Sequence, residues 1–181
     1  MADGLKHNKT LKHLCLERNV FDAKALEFLA EGLACNSTLE GLRLAGNPDL
    51  MRVRDDTMST CIDMRGLERL AEALNRPPTS ECGPSGLRSL NICNLMMLDE
   101  DRDVFSALIR GNETLEKLNL SNNGLSGKQG EYIADAIREN ITLIKLDLSS
   151  NAVGDLGAAK FAEALEKNKV CVRKSYGVWM F

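Results

Sequence analysis

Leu11-Lys12-His13-Leu14-Cys15-Leu16-Glu17-Arg18-Asn19 is the stretch on which the fold turns. Leucines stand at its first, fourth and sixth places and an asparagine at the ninth. The spacing returns at Leu39, Leu42, Leu44 and Asn47, at Leu115, Leu118, Leu120 and Asn123, and at Leu143, Leu146, Leu148 and Asn151. A weaker copy has Leu87, Leu90 and Ile92, with Leu95 where the asparagine belongs. The starts at 11, 39, 87, 115 and 143 lie 28, 48, 28 and 28 residues apart, so one unit is enlarged by 20. Self-similarity at a fixed period of this size marks a stack of supersecondary units.

A second column keeps the same period. Asn8, Asn36, Asn112, Asn140 and Asn168 each precede a repeat start, or its expected place, by three residues. Leu5, Leu33, Ile109, Ile137 and Leu165 stand three residues before them, and Leu29, Phe105, Ile133 and Phe161 seven before. Apolar residues at that spacing share one face of a helix. Each unit therefore reads as a short strand, a loop and an amphipathic helix. The helix ends at an asparagine, a residue that tolerates a left-handed cap. One strand and one helix cannot bury their apolar faces alone, whereas stacked units share a continuous leucine core. Helices are wider than strands, so the stack curves with the strands inside. The asparagine after each strand is expected to bond neighbouring turns as a ladder, broken at Leu95.

These motifs resemble the ribonuclease-inhibitor type of leucine-rich repeat. That type also occurs in the sensor regions of NOD-like receptors, in the activator of the Ran GTPase and in the C-terminal domain of tropomodulin. The resemblance covers about residues 5 to 168. It implies an α/β solenoid, a horseshoe with a parallel β-sheet on the concave side and helices on the convex side. The whole chain, 1–181, is expected to be one such domain of about five repeats. Proteins of this type share architecture and not partners, so the resemblance is specific for fold and nearly silent on function.

The enlarged unit departs from the pattern twice. Aligning Gly66–Leu74 with Ala25–Leu33 puts one insertion within 48–65, between strand and helix, and a second within 77–86, before the next strand. Pro77, Pro78, Gly83, Pro84 and Gly86 mark the second as an irregular loop. The first carries Met51, Val53, Met58, Cys61, Ile62 and Met64 among charges, a composition suited to folding back onto the domain. The chain starts at what reads as the end of a helix, with no polar cap before it. Residues 169–181 lack the leucine pattern and are expected to form an atypical C-terminal cap, with Tyr176 and Trp179 laid over the last repeat.

Composition narrows the function classes. Of 181 residues 44% are apolar and only 4% aromatic, so the core must be Leu, Ile, Val and Ala. With 23 basic and 26 acidic residues the net charge is −3, and no concentrated basic patch points to nucleic acid or a membrane surface. No apolar run is long enough to span a bilayer, and the N-terminal residues have no signal-peptide core. The six cysteines show no CxxC pair or metal-ligand spacing, and with only two histidines a metal site or catalytic triad is not expected. The cysteines read as reduced thiols and the protein as cytoplasmic or nuclear.

Several local patterns read more simply as structure. Asn8, Asn36, Asn112 and Asn140 each begin a glycosylation-like triplet, but their fixed place in the repeat indicates a helix cap. Asp99, Glu100, Asp101 and Asp103 suit the first turn of a helix better than a cation site. Asp49, Asp55, Asp56 and Asp63 lack calcium-loop spacing. Gly124, Gly127 and Gly130 sit where a phosphate loop would but lack its lysine arrangement, which leaves a turn-and-packing role.

No catalytic, cofactor-binding or metal-binding residues emerge, and the chain reads as a non-catalytic scaffold for a protein partner. The outward strand positions form columns, Cys15, Arg43, Asn91, Asn119 and Asp147 at the centre. The columns beside it are His13, Gly41, Ser89, Lys117 and Lys145, and Glu17, Ala45, Cys93, Ser121 and Ser149. Arg43 is the one side chain there of a type favoured at binding hot spots. Recognition is expected on Arg43, on Met51, Arg52, Arg54 and Met58 of the first insertion, and on Asn91, Lys117, Asn119 and Asp147. The uncapped N-terminal end offers a second surface for association. The alternatives are a GTPase-activating protein resembling the Ran activator and a structural segment of a larger receptor-like array.

Overall fold

A computed structural model of the chain describes residues 2–47, 52–54, 60–62, 64–79, 82–95 and 103–168. Five three-residue strands, β1 (His13–Cys15), β2 (Gly41–Arg43), β5 (Ser89–Asn91), β6 (Lys117–Asn119) and β7 (Lys145–Asp147), form one parallel sheet in chain order. The register aligns the repeats residue for residue, Leu14 with Leu42, Leu42 with Leu90, Leu90 with Leu118 and Leu118 with Leu146. β2 pairs with β5 across the 48-residue step in the same register as the 28-residue steps, so the extra residues leave the sheet undisturbed. The first insertion carries a motif the periodicity did not reveal. β3 (Arg52–Arg54) pairs antiparallel with β4 (Thr60–Ile62) as a separate two-stranded unit.

Helices α1 (Ala2–His7), α2 (Ala23–Leu33), α3 (Arg65–Asn75), α4 (Val104–Ile109), α5 (Gly127–Glu139) and α6 (Gly154–Lys167) follow the strands and pack neighbour on neighbour. Their starts have local causes. The Asp22 carboxylate accepts from Ala25 N at 2.9 Å to cap α2, and Gln129 Oε1 accepts from Ser126 N at 2.7 Å to close a capping box on α5. Asp103 takes the N-cap place of α4 without a side-chain cap bond, so only part of the acidic-turn reading holds; Asp99, Glu100 and Asp101 lie outside the described residues.

Between the layers lies one leucine core. Leu39, Leu42, Leu44, Leu87, Leu90, Ile92, Leu115, Leu118 and Leu120 are buried, as are the helix residues Leu29, Leu33, Phe105, Ile109, Ile133, Ile137 and Phe161. Leu11 is 39% exposed where its counterpart Leu39 is 0%, so the first turn, at the edge of the sheet, is covered less than the second. The proposed cover of the opposite end by Tyr176 and Trp179 lies outside the described residues.

The asparagines at the helix ends do not take the left-handed conformation expected of them. Asn140 has φ −70° and Asn168 φ −81°. Each works through its side chain instead. Asn36 Oδ1 accepts from Thr38 N at 3.0 Å and Leu39 N at 2.7 Å, while its amide donates to Leu5 O and Asn8 O of the preceding turn. Asn140 repeats this against Thr142, Leu143, Ile109 and Asn112. Asn36, Asn112 and Asn140 are buried in these roles, which agrees with a cap and not with glycan attachment. The enlarged unit has Pro84 in this column, and Asn75 ties the unit to the following turn instead. It accepts from Asn112 Nδ2 at 2.8 Å and donates to Ala107 O at 2.6 Å.

Left-handed backbone appears at the strand exits. Arg18, Gly46, Asn94, Asn122 and Ser150, one residue before each ladder position, all have φ between 54° and 70°. The turn aims the N–H of Arg18, Gly46, Asn94 and Asn122 at the next unit, as in Arg18 N to Ala45 O at 2.9 Å and Asn122 N to Ser149 O at 2.9 Å. The asparagine ladder follows. Asn47, Asn123 and Asn151 donate to carbonyls of their own and the preceding turn. Leu95 is buried in the core, and its N–H is received by Asn123 Oδ1 at 2.8 Å. The ladder is therefore kept on the C-terminal side of Leu95. The predicted break falls on the other side, where Leu95 has no oxygen to offer Asn47.

Two cysteines correct the reduced-thiol reading. Cys35, just after α2, and Cys82, in the second insertion, form a disulfide with Cα atoms 5.0 Å apart. A 47-residue separation carries no local signal, and only the stacking of the two turns brings the pair together. The same loop is held where Gly86 passes Ser37, since a Cβ there would lie 2.3 Å from Ser37 O. Cys15 and Cys93 are free thiols, exposed and half-buried respectively.

Candidate functional site

Alternation along each strand decides which side chains can meet a partner. Leu42, Leu90, Leu118 and Leu146 point into the core, and the residues on either side of them face outward. Arg43, Asn91, Lys117, Asn119 and Asp147, all named from the sequence, line one shallow depression of about 220 Å³ together with Ser89 and Lys145. Arg52 and Arg54 belong to β3, while Met51 and Met58 lie outside the described residues.

Arg43, the hot-spot candidate of the central column, is paired within the chain. Its Nε donates to Glu17 Oε1 at 2.8 Å and its second nitrogen to Glu17 Oε2 at 3.0 Å, a fork-to-fork pair across two strands. Asn91 Nδ2 donates to the same Glu17 Oε1 at 3.2 Å. The Glu17 carboxylate, first by hydrogen bond and then by charge, holds the Arg43 guanidinium above its ordinary pKa. Sequence reasoning placed Glu17 on the face without giving it a role, because the partner stands 26 residues away and only register joins them.

Charge alternates along the strip at the strand entries. Lys12 pairs with Glu40 at 2.8 Å, and Arg88 pairs with Glu116. Glu40 is held below the usual carboxylate range, chiefly by its hydrogen bond from Lys12. Lys117 and Lys145 differ from these, being exposed, register-matched on β6 and β7, and without an ion-pair partner among the described residues. Three central side chains spend an oxygen on their own backbone. Asn91 Oδ1 accepts from Cys93 N, Asn119 Oδ1 from Ser121 N and Oγ, and Asp147 Oδ1 from Ser149 N and Oγ.

Larger clefts, of about 430 and 640 Å³, lie between helices on the other side. They are lined by Glu27, Glu31, Arg69, Glu72 and Arg76 over alanines, and by Glu68, Glu72, Asn75 and Asp103 beside Val104. No group of three or more His, Cys, Asp or Glu among the described residues is arranged to hold a metal ion.

A family profile described as Leucine Rich repeat matches residues 111–134 and 139–162. No curated protein matches the chain by sequence. Among solved structures, the tropomodulin C-terminal domain of Caenorhabditis elegans is similar with a TM-score of 0.64 and 20% identity, over 95% of this chain and 93% of that one. A leiomodin-1 domain named actin-binding site 2 is similar with a TM-score of 0.65 and 18% identity, over 96% and 90%. The profile covers two consecutive turns, the strand register extends their spacing to all five, and the neighbours share the resulting architecture: the chain is a leucine-rich repeat solenoid.

Proposed function

We propose that the chain is a non-catalytic protein-interaction module that holds a protein partner on its strand face. The observation that carries this reading is the division of labour along each strand. Leucines take the whole structural load on one side, and the other side presents Asn91, Lys117, Asn119 and Asp147 in one contiguous depression. A rigid sheet offering ordered polar side chains suits recognition, because little side-chain or loop ordering remains to be lost on binding. The leiomodin neighbour is named for an actin-binding site, which makes actin the first partner to try. The alternatives of GTPase activation and of a structural array segment gain no specific support from the side-chain geometry.

The test compares the parent with a Lys117→Ala/Asn119→Ala variant and a helix-face control, Glu131→Ala. Co-sedimentation with purified actin filaments and capture from cell extract by the immobilised chain are measured for all three. The strand-face variant is expected to lose retained protein and the control to keep it. Equal capture by all three would place binding elsewhere, and a chain that stays in the supernatant with actin would remove actin as the partner.

A further inference from the structure

We propose that the C-terminal half of the strand face takes an acidic peptide segment of a protein partner, recognised through its carboxylates. The inference rests on the strand-face reading above and adds the partner's chemistry.

Three observations converge on it. The first is charge. Glu17 neutralises Arg43, Glu40 neutralises Lys12 and Glu116 neutralises Arg88. Lys117 and Lys145 remain, two like charges on adjacent strands about 4.8 Å apart. Such a juxtaposition is unfavourable in a sheet unless something offsets it. The one carboxylate beside them in the depression is Asp147, which receives Ser149 N and Oγ at one oxygen and offsets one of the two charges. A chain with net charge −3 thus presents a locally positive patch.

The second observation is hydrogen-bonding polarity. The turn geometry at the strand exits consumes Asn91 Oδ1 and Asn119 Oδ1 internally. What faces outward is the donor end of each amide. Asn91 Nδ2 reaches only Glu17, at 3.2 Å, and Asn119 Nδ2 has no partner among the described residues. The depression therefore offers two ammonium groups, the Asn119 amide and the Ser89 hydroxyl as donors, a set that complements carboxylate oxygens.

The third is the contrast with the opposite side. The helix clefts mix Glu27, Glu31, Glu72 and Asp103 with Arg69 and Arg76, and Arg69 is already paired with Glu72. Unpaired positive charge is thus confined to a patch two lysines wide on the strand face, which suits a short acidic stretch better than a long polyanion.

The probe is a fluorescein-labelled octaglutamate peptide, followed by anisotropy in low salt and at about 0.15 M salt, where charge screening is substantial. The intact chain is expected to bind it, more weakly at the higher salt, and to ignore octalysine. Lys117→Glu/Lys145→Glu should weaken binding at least tenfold. Lys24→Glu/Lys160→Glu changes net charge equally on the helices and should change binding less than threefold. Thermal melting of each variant verifies folding, and the charge-neutral Lys117→Gln/Lys145→Gln pair gives the same reading with less perturbation. Equal losses in both charge-reversed variants, or no octaglutamate binding at all, would overturn the proposal. So would tighter binding of a thymidine dodecamer that depends on the same lysines. Lost protein capture by the Lys117→Ala/Asn119→Ala variant, alongside absent octaglutamate binding, would leave the strand-face reading standing and this inference refuted. Unchanged capture by that variant would refute both.

Discussion

The Asn140 amide donates to Ile109 O at 2.8 Å and Asn112 O at 3.0 Å, while its Oδ1 accepts from Thr142 N and Leu143 N. One buried side chain thereby ends its own helix, starts the next strand and ties both to the previous turn. Asn140→Ala would strand donors and acceptors in the core, at a cost of about 3 kcal/mol. Urea unfolding should show that loss, against a change within about 0.5 kcal/mol for exposed Glu113→Ala; equal effects would contradict the role. At the surface, Lys12 lowers the Glu40 pKa. A lowered folded-state value means the pair's contribution is present above the ordinary carboxylate range and fades as pH falls through the folded value. Lys12→Met should move the Glu40 titration, followed by carboxyl NMR, back upward, and an unmoved midpoint would sink the assignment. The residue scale also holds what the sequence concealed. Leucine spacing was legible because burial imposes a period. The Arg43–Glu17 pair was not, because cross-strand partners depend on register and not on proximity in the chain.

At the scale of elements, strands and helices were legible through their two periods, and the core assignment has a direct check. Leu118 is 1% exposed between β5 and β7. Leu118→Asp should cost roughly 3 kcal/mol or more and weaken both neighbouring turns, seen as faster amide exchange in each. A variant that melted like the parent would contradict that placement. The glycines of α5 and α6 show a finer constraint. A Cβ on Gly157 would lie 2.3 Å from Val153 Cγ1, and one on Gly130 2.7 Å from the same atom. Gly157→Ala should therefore destabilise by about 1–3 kcal/mol, despite the better helix propensity of alanine. A Val153→Ala background should remove most of that cost in a double-mutant cycle, and an undiminished cost there would rule out the contact. The β3–β4 hairpin escaped the sequence reading because its strands are three residues long and outside the repeat. Left-handed backbone was placed at the wrong end of the unit. Asparagine marks both turns, but the asparagines Asn140 and Asn168 at the helix ends keep negative φ, while every strand exit takes positive φ, at residues that include Arg18 and Ser150.

Across the whole molecule, the 48-residue step is absorbed by two excursions that leave the sheet intact, and the Cys35–Cys82 disulfide fastens one of them. Closing a 47-residue separation restricts the unfolded chain by up to about 4 kcal/mol in the loop-entropy account. Cys35→Ser/Cys82→Ser should accordingly lower the melting temperature, and reductant should lower that of the parent alone. Melting curves indifferent to both would contradict a formed disulfide. Disulfides persist in oxidising compartments, so this pair withdraws the cysteine argument for a reducing one. The candidate site was legible as a face, since alternation names its outward residues, but not as a charge pattern. Only the assembled sheet reveals that Glu17 neutralises Arg43 and leaves Lys117 and Lys145 unmatched among the described residues. The central claim is that the strand face engages a protein. Its most direct measurement is photo-crosslinking in cell extract from a benzophenone amino acid placed at Asn119, compared with one at Glu131 on α5. A discrete protein adduct from position 119 and none from 131 is the predicted result. Adducts from 131 alone would contradict it.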